Sequence, residues 1–266
     1  MPHQLESLAA DLRVRLATRR LGREALVVET IGSTQDEARR RATEGAPEGL
    51  LVWALEQTRG RGRLDRTWVS PAGSGLWFSL VLRPRLAPEA LPWLTLAAGV
   101  GVASGLRDLS GADLRLKWPN DVLLDGAKLG GILAEAESAA SGITFVVLGV
   151  GINLRRPPGG FDAALQPPPA ALEDTGAPAA SPAEAMAAVL GGIETAYDVL
   201  STGDVDATRQ AWLDLSATIG SRVSAQGPGM TVEGVAVDLG SDGALVIETD
   251  DGRRTEVRSG EVLHLR

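Results

Sequence analysis

A short stretch rich in arginine and glycine contains residues that could bind an anion. It runs from Glu56 to Trp68, and we call residues 58–68 the arginine loop because four arginines are interleaved there with Gly60 and Gly62. Glycine lets backbone N–H groups approach a ligand closely, and a guanidinium holds a carboxylate or phosphate through two hydrogen bonds. The loop follows the apolar run 50–55, which is typical of a buried strand. Because ligand loops of α/β sheets lie at such strand ends, we interpret it as an anion-binding loop, and the alternative is a solvated basic turn.

The only two lysines of the chain, Lys117 and Lys128, lie in a second stretch of interest. An ammonium fits where a planar guanidinium does not, so two lysines among 26 basic residues indicate confined positions, unless they persist by chance. Asp125-Gly126 between two apolar runs predicts a β-hairpin, whose pairing would bring Lys128 back to Asp121 and the turn at Lys117. Two glycines in the return strand indicate close approach by another group or, equally, a bulge: Gly130 and Gly131.

The composition excludes several kinds of chemistry. The 266-residue chain has no cysteine and two histidines, His3 and His264, which leaves no disulfide or thiolate and almost nothing for a Ser-His-Asp triad or a histidine metal site. Any metal would be a hard cation such as Mg²⁺ on oxygen ligands. The net charge of −8 argues against general binding to nucleic acid or membranes. The arginine loop is therefore a local positive patch that suits a small anion.

Neither standard nucleotide-binding loop is present. The glycine-rich run 149–153 lacks the third glycine of the dinucleotide fingerprint, and no Walker-type run occurs. The N-terminus has no signal-peptide pattern, and the longest apolar window, residues 91–106, is predicted to be too short to cross a bilayer. We therefore expect a soluble, cytoplasmic protein that does not bind membranes.

The spacing of apolar residues predicts the elements that position these stretches. It predicts helices over residues 4–20, 92–109, 183–200 and 205–215. A capping box of Thr34 with Glu37 predicts the start of another helix. Apolar runs predict strands over residues 26–30, 50–55, 76–82 and 143–154. Residues 155–182 hold seven prolines and are expected to be irregular, and short apolar runs after Gly220 predict a small β-barrel.

Four motifs together resemble those of the biotin protein ligases. They are Gly60-Arg61-Gly62-Arg63 with Trp68, Lys117-Trp118-Pro119-Asn120-Asp121, Lys128-Leu129-Gly130-Gly131-Ile132-Leu133 and Gly149-Val150-Gly151-Ile152-Asn153. They occur in the order and spacing of that family, Ser33-Thr34 matches its Ser-Thr-Asn element, and the resemblance covers essentially the whole chain. Two departures are Gln35 in place of the usual Asn, and Leu64-Asp65 in place of a basic-Gly pair, which weakens a phosphate role at those two positions.

The resemblance implies an α+β fold with a mixed central sheet flanked by helices, as in class II aminoacyl-tRNA synthetases. It implies a catalytic domain over residues 1–218 and an SH3-like barrel over residues 219–266. It also implies a biotin–[acetyl-CoA-carboxylase] ligase: biotin and Mg-ATP give biotinyl-5′-AMP, and the biotinyl group passes to one lysine of a biotin carboxyl carrier protein domain. ATP, Mg²⁺ and biotin are the expected co-substrate, ion and substrate, with no tightly bound prosthetic group.

Site residues can be assigned by the same resemblance. Attack of a carboxylate on the α-phosphate of ATP brings two anions together, which requires preorganised cations. Lys128 and Arg63 are the candidates, and Asp121 is a candidate for holding Mg²⁺, activating the incoming lysine or orienting Lys117. Biotin is expected to contact Ser33, Thr34, Gln35, Gln57, Gly60, Arg61, Gly62, Arg63, Lys128, Gly130 and Gly131. ATP is expected to contact Arg61, Arg63, Trp68, Lys117, Asn120, Lys128 and Asn153.

Two alternatives fit part of the pattern. A lipoate or octanoate transferase on the same fold would lack the Lys-Trp-Pro-Asn-Asp run and the barrel. A non-catalytic biotin sensor would need a DNA-reading domain or a broken catalytic pair, and the sequence indicates neither. Because only one helix is predicted before the first strand, we expect no DNA binding and no repressor activity, and we expect a monomer or weak homodimer.

Overall fold

The computed structural model describes residues 2–64, 66–139, 142–162, 164–227 and 230–265. Within them the helices are α1 (Pro2–Arg15), α2 (Thr34–Thr43), α3 (Leu91–Ser110), α4 (Pro182–Ser201) and α5 (Val205–Leu215). The strands before the proline-rich connection are β1 (Ala25–Ile31), β2 (Leu51–Gln57), β3 (Gly75–Leu82), β4 (Leu114–Lys117), β5 (Asp121–Leu124), β6 (Ala127–Ala139) and β7 (Gly142–Asn153). Those after it are β8 (Arg222–Gly227), β9 (Met230–Leu239), β10 (Leu245–Glu248), β11 (Arg254–Val257) and β12 (Glu261–His264).

Strands β1 to β7 form a mixed central sheet in the order β1-β2-β3-β7-β6-β5-β4. β1 and β2 are parallel, and the other neighbouring pairs are antiparallel. Leu51 and Trp53 of β2 are buried in the cluster that includes α3 and α4, whereas Val52 is buried on the opposite face with Ala38 of α2. Because helices cover both faces, residues 51–55 of the strand are all apolar. The predicted mixed sheet flanked by helices is confirmed.

Helices α3 and α4 cross in close contact through small residues. A Cβ atom on Gly101 would lie 2.6 Å from the backbone of Gly192, and one on Gly105 would lie 2.3 Å from the carbonyl oxygen of Ala188. Residues 88–110 are long and apolar enough to span a bilayer, so the expectation that this region is too short was wrong. Its most apolar window is 61% buried inside the fold, where it serves as a core helix.

The C-terminal strands form a five-stranded antiparallel sheet in the order β11-β10-β9-β8-β12. This sheet is bonded to the central domain through buried tryptophans. Trp93 Nε1 of α3 donates to the carbonyl oxygen of Ser241 at 2.8 Å, and Trp118 Nε1 donates to that of Gly243 at 3.0 Å. Both indoles are almost fully buried, so the C-terminal sheet packs directly against the segment that contains Lys117 and Asp121.

The predicted hairpin is confirmed. Asp125 and Gly126 have φ values of +50° and +79°, which is the left-handed backbone that a tight two-residue turn requires. Leu124 pairs with Ala127 across this turn, and Lys128 follows at the start of the return strand β6.

Two local predictions were wrong. Helix α1 ends at Arg15 rather than at residue 20, because the Glu194 carboxylate accepts hydrogen bonds from the backbone N–H groups of Arg19, Arg20 and Leu21 at 2.6, 2.8 and 3.0 Å. The N-cap of α2 is Ser33, whose side chain makes no capping hydrogen bond, so the capping box of Thr34 with Glu37 does not form. Thr34 already belongs to the helix, and its hydroxyl bonds to other side chains instead.

Candidate active site

Two neighbouring cavities lie beside the arginine loop. The larger, about 230 Å³, includes Arg63, Lys117, Asn120, Asp121 and Asn153 in its lining. The smaller, about 50 Å³, is lined by neutral polar groups and glycines, including Ser33, Thr34, Gln35, Gln57 and Gly131. Both are lined by Gly62, Trp68 and Lys128, so these three residues form the boundary between them. The predicted biotin and ATP residues therefore divide largely between the two cavities, although Arg61 lines the smaller and Arg63 the larger.

Lys128 holds a positive charge at this boundary. Its Nζ lies 2.7 Å from Asp121 Oδ1, as the hairpin pairing predicted, and 5.5 Å from the centre of a Trp68 ring. The two side chains are 27% and 13% exposed, so the ion pair is shielded from most of the solvent. An anion that enters either cavity reaches the same ammonium group.

Two further cations of the larger cavity are poorly solvated. Burial lowers the pKa of Lys117, and the nearby Asp121 carboxylate partly opposes this shift. Burial also lowers the pKa of Arg63, again opposed by Asp121. Arg63 Nη1 donates to Asn120 Oδ1 at 3.2 Å, and Asn120 Nδ2 donates to the carbonyl oxygen of Ile132 at 2.8 Å. Desolvated cations held in this way interact strongly with an incoming anion, because little water screens them.

Three side chains of the Lys-Trp-Pro-Asn-Asp run lie at the larger cavity, and a fourth bonds to the C-terminal sheet. Lys117, Asn120 and Asp121 line the larger cavity and contact one another or the neighbouring strand. Trp118 is 2% exposed and bonds to the C-terminal sheet, and its backbone N–H donates to Thr218 Oγ1 at 3.0 Å. The run thus connects the cation cluster to the second sheet, which the sequence did not indicate.

A chain of hydrogen bonds lies along the smaller cavity. Thr34 Oγ1 lies 3.0 Å from Gln57 Oε1 and 2.9 Å from Ser79 Oγ, and Gln57 Nε2 donates to Ser70 Oγ at 2.9 Å. Gln35 Nε2 donates to the carbonyl oxygen of Val147 at 3.0 Å, while its Oε1 accepts from Ser79 at 3.0 Å. The amide of Gln35 is therefore bonded on both sides by the protein, so its predicted contact with biotin would require one of these bonds to exchange.

Ser33 has a different environment. Its hydroxyl oxygen is buried at the smaller cavity and has no hydrogen-bond partner among the described residues. A buried hydroxyl without a partner carries a desolvation cost that a bound polar ligand can remove.

We expect Ser33→Ala to raise the KM for biotin about three- to tenfold, because one hydrogen bond to the ligand is lost. The free energy of unfolding should not fall, since the Ser33 hydroxyl has no partner within the described residues. Steady-state kinetics and urea unfolding measure the two quantities. Ser201→Ala is the control, since Ser201 bonds to the Tyr197 carbonyl oxygen at the end of α4, at 2.7 Å. An unchanged KM for biotin in Ser33→Ala would contradict the assignment.

Glycines of the central sheet make room for Trp68. A Cβ atom on Gly151 would lie 2.5 Å from Trp68 Nε1, and one on Gly131 would lie 3.5 Å from the same indole and 3.6 Å from Lys128. The distances at Gly131 are ordinary van der Waals contacts, so the close approach predicted there is not confirmed. Gly130 and Gly60 line neither cavity: their Cβ positions are closed by Ile152 at 2.4 Å and by the Trp68 carbonyl oxygen at 2.3 Å.

Two loop arginines are paired with carboxylates. Arg61 Nη2 lies 3.1 Å from Asp36 and 2.8 Å from Glu135, so its guanidinium is bonded to α2 and β6. Arg66 forms a forked pair with Glu261 of the C-terminal sheet, at 2.7 and 2.6 Å. Arg63 thus lies between two ion-paired neighbours and faces the larger cavity.

Parts of the larger cavity come from segments that sequence reasoning missed. The connection after β7 contributes Phe161 and Leu165, and the C-terminal sheet contributes Glu261. The connection is bonded to β6 and β7, since Lys128 N–H of β6 donates to the Pro168 carbonyl oxygen at 2.7 Å and Asn153 Nδ2 of β7 donates to that of Ala170 at 3.0 Å. One feature of the sequence could have indicated this contribution. Phe161 and Leu165 are apolar residues in the proline-rich segment that directly follows the glycine-rich end of β7.

Comparison with known proteins identifies relatives of this fold and site. The models described as "Biotin/lipoate A/B protein ligase family" and "Biotin protein ligase C terminal domain" match residues 27–153 and 218–265. The biotin–[acetyl-CoA-carboxylase] ligase of Mycobacterium tuberculosis is 36% identical over 246 residues, which cover 90% of this chain and 88% of the relative. The bifunctional ligase/repressor BirA of Bacillus subtilis is 33% identical over 243 residues, covering 91% and 75%. The structure of biotin protein ligase from Aquifex aeolicus in complex with biotin and ATP has a TM-score of 0.78 at 28% identity, covering 91% and 99%.

The matched family models and the curated relatives place the protein in the class of biotin and lipoate protein ligases. Within this class, the chain belongs to the biotin protein ligase family, and it is a ligase. The resemblance inferred from the four motifs is confirmed.

Proposed function

We propose that this protein activates biotin with ATP to biotinyl-5′-AMP and transfers the biotinyl group to a lysine of a biotin carboxyl carrier protein domain. The observation that carries the proposal is the position of Lys128, at the boundary between a neutral polar cavity and a cationic one. Such a pair of cavities suits a ligand with an uncharged ring and a carboxylate next to a polyphosphate. Family membership supports the same reaction.

In the first step a carboxylate oxygen of biotin attacks the α-phosphorus, the bond to the bridging oxygen breaks and pyrophosphate leaves. Both reactants are anions, so the protein must offset their repulsion and the charge that develops on the phosphoryl oxygens. Lys128, Arg63 and Lys117 are held by the fold before the substrates arrive, and such preorganised charge is the most effective form of electrostatic catalysis.

The ureido ring of biotin is neutral and needs hydrogen bonds rather than charges. Ser33, Thr34 and Gln57 supply them in the smaller cavity, with the backbone of the arginine loop on the opposite side. Growth of this cavity to the size of the ligand requires Trp68 to move, because its indole covers Gly131 and Gly151. ATP then occupies the larger cavity, beside Asn120 and Asn153.

In the second step the lysine amine of the carrier domain attacks the acyl carbon, AMP leaves and the amine loses a proton. Asp121 is the carboxylate nearest to Lys128, and it can accept that proton or orient the neighbouring cations.

Mg²⁺ would accompany ATP. No cluster of three or more His, Cys, Asp or Glu able to hold a metal occurs among the residues that the structure describes. This fits Mg²⁺, which is commonly bound through one or two carboxylates together with substrate phosphates and water. Asp121 would provide the carboxylate, and the ion would neutralise part of the phosphate charge when bound.

The remaining features of the proposal concern organisation. The chain divides into a catalytic domain of residues 1–218 and an SH3-like barrel of residues 219–266. It acts in the cytoplasm as a monomer or weak homodimer, without DNA or a membrane, which its net charge of −8 supports.

Incubation with labelled biotin, Mg-ATP and a carrier domain tests the proposal. Label on the carrier lysine supports biotin ligation. Label transferred only from lipoate or octanoate would support the transferase alternative, and bound biotin without adenylate would support a non-catalytic sensor.

We expect biotin and ATP together to protect residues 58–67 from trypsin, because the adenylate orders the arginine loop and excludes water from a reactive anhydride. Mass spectrometry of the fragments measures cleavage after each loop arginine. One residue of this range, Asp65, lies outside the described residues. Biotin or ATP alone is the control. Equal cleavage with and without both ligands would argue against ordering of the loop.

A further inference from the structure

The arginine loop is fastened at two points, one on each side of Arg63. The first anchor is Arg61, bonded to Asp36 of α2 and Glu135 of β6. The second anchor is Arg66, bonded to Glu261 at the start of β12. The two anchors therefore connect the loop to different sheets, and the second joins residues that are 195 positions apart.

The second anchor fixes the backbone that presents Arg63. Gly62 N–H donates to the Arg66 carbonyl oxygen at 2.7 Å, and Arg66 N–H donates to that of Arg63 at 3.2 Å. A displacement of Arg66 must therefore displace Arg63, whose side chain bonds to Asn120 and faces the larger cavity.

Glu261 lines the larger cavity. Its neighbours Gly260 and Val262 line the larger cavity together with Arg63 and Arg66. Both guanidinium Nη atoms of Arg66 meet the two carboxylate oxygens in a forked arrangement, which is the strongest geometry for such a pair. The Arg66 side chain is 60% exposed and the Glu261 side chain 33%, so the pair lies at the surface and water screens part of its attraction.

We propose that Glu261 is a positioning residue through which the C-terminal sheet holds the arginine loop closed over the acyl-adenylate. The proposal rests on the proposed function. It assigns to Glu261 an effect on the rate at which biotinyl-5′-AMP is released from the protein. Loss of the second anchor frees Arg66 and, through its backbone hydrogen bonds, Gly62 and Arg63, while the first anchor keeps Arg61 in place. Opening gives water and unintended amines access to the mixed anhydride and lets the intermediate leave.

Glu261→Gln tests this role, and Asp250→Asn is the matched control. Asp250 forms a forked pair with Arg222 in the same C-terminal sheet, at 2.9 and 2.7 Å, and lines neither cavity. Urea unfolding of both variants establishes that each is folded.

The first measurement is trypsin cleavage of the ligand-free protein within residues 61–68. We expect Glu261→Gln to be cleaved about two- to fivefold faster than the wild type, the range that a partly exposed ion pair provides, and Asp250→Asn to match the wild type. The second is release of labelled biotinyl-AMP in the absence of acceptor, measured by rapid filtration. We expect a similar two- to fivefold rise in the release rate for Glu261→Gln alone.

Equal cleavage and equal release rates in Glu261→Gln and Asp250→Asn would overturn the proposal. Slower adenylate synthesis in Glu261→Gln with unchanged cleavage and release would also overturn it, since Glu261 would then act on the nucleotide itself. Failure of the proposed function is distinguishable, because a wild-type protein that forms no adenylate still reports on the anchor through the ligand-free cleavage.

Discussion

Lys128→Ala should lower the rate of biotinyl-5′-AMP formation about 10²- to 10³-fold, as for loss of a comparable transition-state donor. The ammonium lies at the boundary of both cavities, 2.7 Å from Asp121. Its removal takes away the charge shared by the two reacting anions. It also leaves a carboxylate that is only 13% exposed without its partner, and this carboxylate repels both substrates. Adenylate formation is measured with labelled biotin and Mg-ATP without a carrier domain.

Two further variants separate these contributions. Lys128→Arg keeps the positive charge but replaces a compact ammonium by a planar guanidinium. A large remaining loss in the rate of adenylate formation would show that the shape of the group is required as well as its charge. Lys128→Ala combined with Asp121→Asn removes the unpaired carboxylate as well, so a rate no higher than that of Lys128→Ala would show that the loss comes from the missing ammonium. Near-normal adenylate synthesis by purified Lys128→Ala would refute the assigned role.

Trp118→Ala should lower the free energy of unfolding by about 3–5 kcal/mol, the usual cost of removing a large buried aromatic side chain. The indole is 2% exposed and belongs to the same core cluster as the C-terminal residues Val223 and Leu245. Its loss leaves a cavity between the two sheets and an unbonded carbonyl oxygen at Gly243. Urea unfolding monitored by circular dichroism measures the change.

Trp118→Phe is the matched control for this prediction. It keeps an aromatic ring in the cavity and removes the hydrogen bond to Gly243, so it should cost clearly less than Trp118→Ala. A loss below about 1 kcal/mol in Trp118→Ala would contradict the view that this residue joins the two sheets.

The sequence predicted those parts of the site that depend on neighbouring residues. The Asp125-Gly126 turn pairs Lys128 with Leu123, and together with the register shift between Val122 and Leu123 it leaves the Lys128 side chain close to Asp121. Strands β2 and β3 were recognisable because helices cover both faces of the sheet there and most of their residues are apolar. The helices α3, α4 and α5 were recognisable because their apolar residues recur with helical spacing.

The parts that could not be predicted depend on contacts between distant segments. Nothing near Trp118 in the chain indicates that its indole bonds to Gly243, because the partner is a backbone carbonyl in a turn. Glu261 is one acidic residue among 34, and its pairing with Arg66 becomes evident only when the two sheets are docked. The end of α1 was misplaced for the same reason, since Glu194 of a distant helix binds the backbone that follows it.

The bond from Trp118 to the C-terminal sheet bears on how such proteins diversify. Residues 27–153 and residues 218–265 match two separate family models, and we call them the two modules of the chain. In this chain, however, the indole beside the reactive cations is covered by the second module, so exchange of that module between relatives would uncover it. The C-terminal module can therefore be exchanged only for one that has a turn able to accept the hydrogen bond from the Trp118 indole.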